Sequence, residues 1–317
     1  MYRLRLLIVL LAFVANANGQ TFDNSLIINS HRNIVGIDNK NFPLSQIQRD
    51  SVTNKSKAGI NTTRLALVSG TLLTSMAVIH IYQQNGWWKD NRAPFHFRED
   101  LVYGMWVDKI GHFYGGALLG FVMTKSLEWS NVPEETSTWI GAGGALLFQS
   151  YVEIEDGFSK WGFDRVDWAF DVAGASFPLV RYYIPFIQNF DLKLSYHPSD
   201  LLGDSGGIGF KGQKHLMIDD YEGQTLWLSV KLNNLLPNSI ERYWPDFLGL
   251  SVGYGARDVA TSNPYSVYFL APDLDMTKII PANTQLLKTL GEALNFIHFP
   301  MPAIQFGRKT VWYGIYF

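Results

Sequence analysis

Cysteine is absent from this chain of 317 residues. That excludes disulfides, thiolate metal sites, thiol nucleophiles and lipid attached through a cysteine. Charge is scarce as well: 17% of the residues are Asp, Glu, Lys or Arg, and 26 basic against 28 acidic side chains leave a net charge of −2. A nucleic-acid binder needs a basic excess to neutralise phosphates, and none exists here. Internal repeats and low-complexity tracts are missing. No nucleophile elbow, phosphate loop or dinucleotide fingerprint occurs. Aromatic side chains are plentiful, with 21 Phe, 15 Tyr and 10 Trp. Such a composition belongs to a folded chain with ample core, not to a disordered one.

The opening MYRLRLLIVLLAFVANANGQ has the form of a secretory signal peptide over residues 1–19. Arg3 and Arg5 make the positive region, residues 6–14 the short apolar region, and Ala15-Asn16-Ala17 a small-residue cleavage site. The apolar run is too short to cross ~30 Å of hydrocarbon. The protein is therefore expected to be exported. Residues 20–58 are polar and Asn/Ser-rich and read as a lead-in. Residues 65–82 form a second apolar run without a full charge, long enough to span a bilayer. Its Ser, Thr and His80 suit a buried helix of a bundle equally, and Trp87-Trp88 after it suit an interfacial anchor or a core.

Patterning divides the remainder into a helical domain over residues 59–186 and a strand-rich domain over residues 187–317. Helices are expected at 60–85, 105–129, 137–155 and 165–182, with Pro133 as a stop between the second and third. Gly111, Gly115, Gly116 and Gly120 recur at helical spacing, and Gly174 extends the pattern on the fourth helix; small residues so placed let helices approach closely. The expectation is that residues 65–82 pack on the second helix through these glycines. Alternating segments at 190–196, 225–232, 248–254, 265–270 and 311–317 read as five strands, interrupted by a helix near 283–296. Val311, Tyr313, Ile315 and Phe317 would share one face of the last strand. Five strands are too few for a membrane barrel, so a small sheet is expected. The fold class is α+β: a four-helix, Gly-rich domain followed by a small, mostly antiparallel β-containing domain.

The few charges concentrate within the helices. Asp108 and His112 are four apart on the second helix, beside Lys109. Glu153 and Asp156 share a face at the end of the third, and Asp164, Asp167 and Asp171 line a stripe on the fourth. Three readings of this cluster stand side by side. Asp108, His112, Glu153 and Asp171 can ligate a divalent metal. The same set with an activated water, or Glu153 and Asp171 as an acid/base pair, can support hydrolysis. A buried network, with Lys109 and Arg165 neutralising the acids and His112 bonded to a carboxylate, can fix helix register. The segment 219–223 reads as a turn before a strand.

The order Asp108-Lys109-x-x-His112-Phe113, then Glu153-x-x-Asp156, then Asp167-Trp168-Ala169-Phe170-Asp171-Val172-Ala173-Gly174-Ala175 resembles the YfiM-like family of predicted periplasmic lipoproteins. The resemblance covers residues 103–178. A fainter one runs to VanZ-like membrane proteins, which share the Asp-Lys-x-x-His start. The first resemblance implies an envelope location and singles out the same acidic residues; it supplies no reaction. The chain departs from that family in having no lipidation cysteine, a long amino-terminal lead and about 135 further carboxy-terminal residues.

Two functions are carried forward. One is an exported envelope protein of structural or interaction type with a buried Asp/Glu/His site, partnered by membrane lipid or another envelope protein. The other is a metal-assisted hydrolase acting on a lipid or cell-wall ester. A divalent metal is the one cofactor these residues point to.

Overall fold

A computed structural model describes residues 59–86, 88–202 and 217–317. The segment read as a signal peptide, the lead-in and Trp87 lie outside the described residues.

Four long helices open the described chain: α1 (Thr62–Asn85), α2 (Val107–Trp129), α3 (Glu134–Gly157) and α4 (Arg165–Tyr183). Asn61 caps α1 through Arg64 N–H, and Asp164 caps α4 through Val166 and Asp167 N–H, as short oxygen-bearing side chains do at helix starts. Helices α2, α3 and α4 pack in antiparallel succession, with glycines at the seams. A Cβ on Gly174 would lie 2.1 Å from the Phe113 carbonyl oxygen, and one on Gly116 would lie 2.8 Å from Ala175 N. Gly120 faces Pro178. Gly115 meets only the end of Gln149, and Gly111 has nothing within 4 Å, so neither is needed for packing.

The glycines of α2 thus serve α3 and α4, not α1, which overturns the expected seam. Helix α1 has 24 residues; its most apolar 18-residue window has a mean hydropathy of 1.7, and only 6% of that window is buried. Val68 is its one buried residue. It is tethered mainly at its ends: Asn61 N–H reaches the Ser130 carbonyl, and His80 and Gln84 bond Tyr151 and Glu155 on α3. Trp88, just beyond α1, is fully buried and donates to Asp156 Oδ1 at 2.6 Å, so it is a core residue.

Six strands follow, each paired antiparallel to the next in chain order: β1 (Phe190–Tyr196), β2 (Gln224–Val230), β3 (Leu248–Arg257), β4 (Tyr265–Leu274), β5 (Met301–Phe306) and β6 (Val311–Tyr316). Helix α5 (Gln285–Leu294) lies between β4 and β5. The sheet curls. Tyr316 of β6 reaches Thr225 of β2 at 2.8 Å, and the free edge of β1 is taken by residues 296–298 through Leu194. In β6, a bulge near Pro302 of its neighbour shifts the register. Tyr313 and Tyr316 therefore turn inward together, and the expected stripe of Val311, Tyr313, Ile315 and Phe317 does not form. The first turn of α2 packs on the sheet through a cluster of Val107, Tyr221, Leu226 and Ala256.

Candidate functional site

The amino ends of α2 and α4 and the carboxyl end of α3 meet at one end of the bundle. The chain reaches α2 through three successive residues in the left-handed region, Gly104, Met105 and Trp106, with φ of 57°, 50° and 71°. A bulky side chain at the first would strike the ring of Tyr221, 2.9 Å from its Cβ position. The two non-glycine residues are strained positions that surrounding contacts must hold, and the Tyr254 hydroxyl does so by bonding the Met105 carbonyl. This turn aims Asp108, Lys109 and His112 at α3 and α4.

Lys109 is fully buried and serves as the local cation for one group of acids. Its Nζ pairs with Asp100, with Asp108 Oδ2 and Asp164 Oδ2 at 3.2 Å each, and with Asp167 Oδ1 at 2.9 Å. Burial opposes its charge, but the carboxylates of Asp108 and Asp167 outweigh that and hold the ammonium well above the ordinary lysine range. Burial acts on Asp164 too, yet the Asp100 backbone N–H, Lys109 and its own capping bonds leave its carboxyl below the usual value.

His112 sits between two carboxylate pairs. Nδ1 lies 2.9 Å from Asp171 Oδ1 and 3.8 Å from Glu153 Oε1; Nε2 lies 3.9 Å from Asp108 Oδ1 and 4.0 Å from Asp167 Oδ2. Gln149 also donates to Asp171 Oδ1, at 2.7 Å, while the buried Asp171 Oδ2 has no hydrogen-bond partner. Burial works against an imidazolium, but the bond to Asp171 and the charge of Asp108 raise the His112 pKa well above its ordinary value. Glu153 is pushed up to about 9, first by burial and then by its acidic neighbours Asp156, Asp167 and Asp171, against the pull of His112. Asp167 rises to about 7 through burial and Asp108. Asp171 also rises, chiefly through burial.

Six carboxyl groups (Asp100, Asp108, Glu153, Asp164, Asp167 and Asp171) thus surround one ammonium and one imidazole. Three triplets bring their ligand atoms within 4.8 Å: Asp108, His112 and Asp167; His112, Glu153 and Asp171; Asp100, Asp164 and Asp167. Lys109 already occupies the third. The quartet Asp108, His112, Glu153 and Asp171 is divided between the two sides of the imidazole rather than gathered at one point. Arg165 pairs with Glu99 at the surface and does not neutralise the cage, and Asp156 accepts from Trp88.

Sequence reasoning missed three participants. Asp100 precedes α2 in a loop, Gln149 is uncharged, and Tyr221, from the turn before β2, donates to Asp108 Oδ1 at 2.7 Å. No spacing rule connects Tyr221 to a residue more than a hundred positions earlier.

Residues 96–183 match the model of a family described as predicted periplasmic lipoprotein (DUF2279). The matched stretch lies within the helical part of the chain. The match begins just before Asp100 and ends with α4, so it contains every cage residue except Tyr221. It places the domain among exported envelope proteins, in the periplasm or at the outer membrane. The chain has no cysteine to carry the lipid that the family description names. No curated protein and no solved structure matches the chain.

Proposed function

We propose that this is an exported envelope protein of structural or interaction type, held at the outer membrane or its periplasmic face by α1, whose cage takes one divalent cation. The ligands are His112 Nε2, Asp108 and Asp167, with Asp171 holding the other ring nitrogen. The observation that carries this reading is the orientation of His112. A histidine whose Nδ1–H is bonded to a carboxylate presents Nε2 as a ligand once the ion has displaced the Nε2 proton, a pairing common behind metal-bound histidines. Asp171 supplies that bond at 2.9 Å, and the opposite nitrogen faces two carboxylate oxygens at 3.9 and 4.0 Å. With bonds of about 2.1 Å, ligand atoms around an ion stand about 3–3.5 Å apart, so a modest contraction completes the site. The excess of acids over bases supports the same reading: burial is the main cause that raises Glu153 and Asp167, neighbouring carboxylates add to it, and a bound cation would offset both.

An imidazole with two carboxylates suits Zn²⁺ or Mn²⁺ better than Ca²⁺, which prefers oxygen alone. Calorimetric titration of the full chain with each ion tests this. One Zn²⁺ or Mn²⁺ per chain is expected, with binding lost in Asp167→Asn and His112→Gln and kept in Asp156→Asn. Absence of binding, or binding indifferent to those changes, leaves the cage as a network closed by Lys109 and the imidazolium alone.

A second reading, metal-assisted hydrolysis of a lipid or cell-wall ester, draws on the access to this ion. Asp108 and His112 keep 15% and 23% of their side-chain surface exposed, so the residues that would hold the ion are not sealed from solvent, as activation of a metal-bound water requires. Turnover of a chromogenic ester or phosphoester by the metal-loaded chain, abolished by His112→Gln, would establish it. No turnover with the ion bound rejects it.

A further inference from the structure

The curled sheet is inverted relative to that of a water-soluble protein. Every charged side chain within the six strands (Asp191, Lys193, Arg257 and Asp273) lies on the inward, buried or half-buried face. Lys193 and Asp273 pair there at 2.6 Å, nearly inaccessible to solvent, and Ser229 bonds the same Asp273. Ser251 and His298 bond each other in that interior, and His298 stacks on Trp227 at 3.9 Å between ring centres.

The opposite face is apolar. Strand register joins Leu192, Leu228, Val252, Leu270, Ile304 and Trp312 into one row across all six strands. Val252 is 52% exposed and Trp312 77% exposed, in the middle and at the edge of that row. Helix α2 packs on the end of this face near Leu194, Leu226 and Tyr254. In water a half-exposed sheet places its apolar residues inward and its polar ones outward. Sheets that face lipid reverse this order.

We infer that the outward face of the sheet, centred on Val252 and Leu270, sits in the acyl chains of a bilayer. Charge complementarity favours hydrocarbon over a polar partner, since the face carries no charged side chain along any strand. The two central strands, β3 and β4, have 10 residues each, within the range of about 9–11 that a membrane-crossing strand needs; the four others have 6 or 7 and reach only part of the way. The same unit of the chain carries α1, a span-length apolar helix exposed along most of its circumference, so two separate surfaces call for the same solvent. The inference rests on the envelope location and is independent of the cation.

The absence of cysteine makes the test direct, because any introduced cysteine is unique. Val252→Cys, Leu270→Cys and, as a control in the β3–β4 turn, Ser262→Cys are labelled with bimane in the full chain. The labelled chains are reconstituted into phosphatidylethanolamine/phosphatidylglycerol vesicles. Bimane at 252 and 270 is expected to emit at shorter wavelength than at 262 and to lose emission when the lipid acyl chains are brominated. The label at 262 should instead be quenched by aqueous iodide. Iodide quenching of 252 and 270 equal to that of 262 overturns the inference. Protection from both quenchers overturns it too, and a 252–252 crosslink between chains would then assign the face to a second copy. If Val252→Cys fails to fold, Leu270→Cys gives the same decision. Loss of cation binding leaves these readouts unchanged, so failure of one proposal is distinguishable from failure of the other.

Discussion

His112 offers Nδ1 to Asp171 at 2.9 Å and Nε2 to Asp108 at 3.9 Å, so one ring bridges carboxylates of two helices. Opposite it, burial pushes Glu153 up to about 9 against an ordinary 4.5. Between those pH values the folded protein keeps a proton that the unfolded chain releases. Stability from this group is therefore complete below about pH 4.5 and declines as pH rises towards 9. Asp167 acts in the same direction up to about 7. Thermal melts of the ion-free chain from pH 5 to 9 should show falling Tm, and Glu153→Gln should flatten the upper part of that slope. An unchanged slope in the variant would remove Glu153 as its source.

Lys109 is the sole ammonium in the cage, and its removal leaves Asp100, Asp164 and Asp167 facing one another. Breaking a buried ion pair from one side costs about 3–5 kcal/mol, and Lys109→Met should lose stability on that scale in chemical unfolding. The three acids lie within 4.8 Å of one another, so millimolar Mg²⁺ or Ca²⁺ should restore part of the loss in the variant and little in the parent. Equal responses of the two proteins would show that the lysine is not standing in for an ion.

Two glycines on the same bundle should respond oppositely to alanine. Gly174→Ala drives a methyl into the Phe113 backbone at 2.1 Å, and overpacking of this kind costs about 1–3 kcal/mol. Gly111→Ala meets open space, and relief of helix-interior glycine should add about 0.5–1 kcal/mol. Differential unfolding of the two variants measures both signs at once.

The four helices were legible because their apolar periodicity is long and their boundaries carry Pro, Asn and Asp signals; α2 ends at Trp129 as the pattern indicates. Strand β5 was not. Pro302 interrupts its alternation, and a proline inside a short run argues against a strand. The structure accommodates it with a bulge between Met301 and Ala303. The alternation of the other strands was visible, but its sense was not, since alternation alone does not say which face meets water. In the cage, Asp108, His112, Glu153, Asp167 and Asp171 were legible through helical spacing. Asp100, Gln149 and Tyr221 were not: Asp100 and Tyr221 come from a loop and a distant turn, and Gln149, although on α3, carries no charge to mark it.

Fractionation of cells expressing the full chain, followed by an alkaline carbonate wash, addresses α1. With only 6% of its apolar window buried, the helix should keep the chain in the membrane pellet. Replacing Val78 and Ile81, both 59% exposed, with lysine should move the chain towards the soluble fraction. Release of the unaltered chain by carbonate would argue that another protein covers α1.

Helix α1 begins beside the turn between α2 and α3, where Asn61 meets Ser130, and ends beside the last turn of α3, where Trp88 meets Asp156. Its 24 residues at about 1.5 Å each separate those two ends by roughly the thickness of a hydrocarbon layer. If a bilayer lies across α1, the molecule gains a sidedness, with Asn61 near one surface and Trp88, beside the cage end of the bundle, near the other. Any ion that reaches the cage would then arrive from the side opposite to the start of that helix.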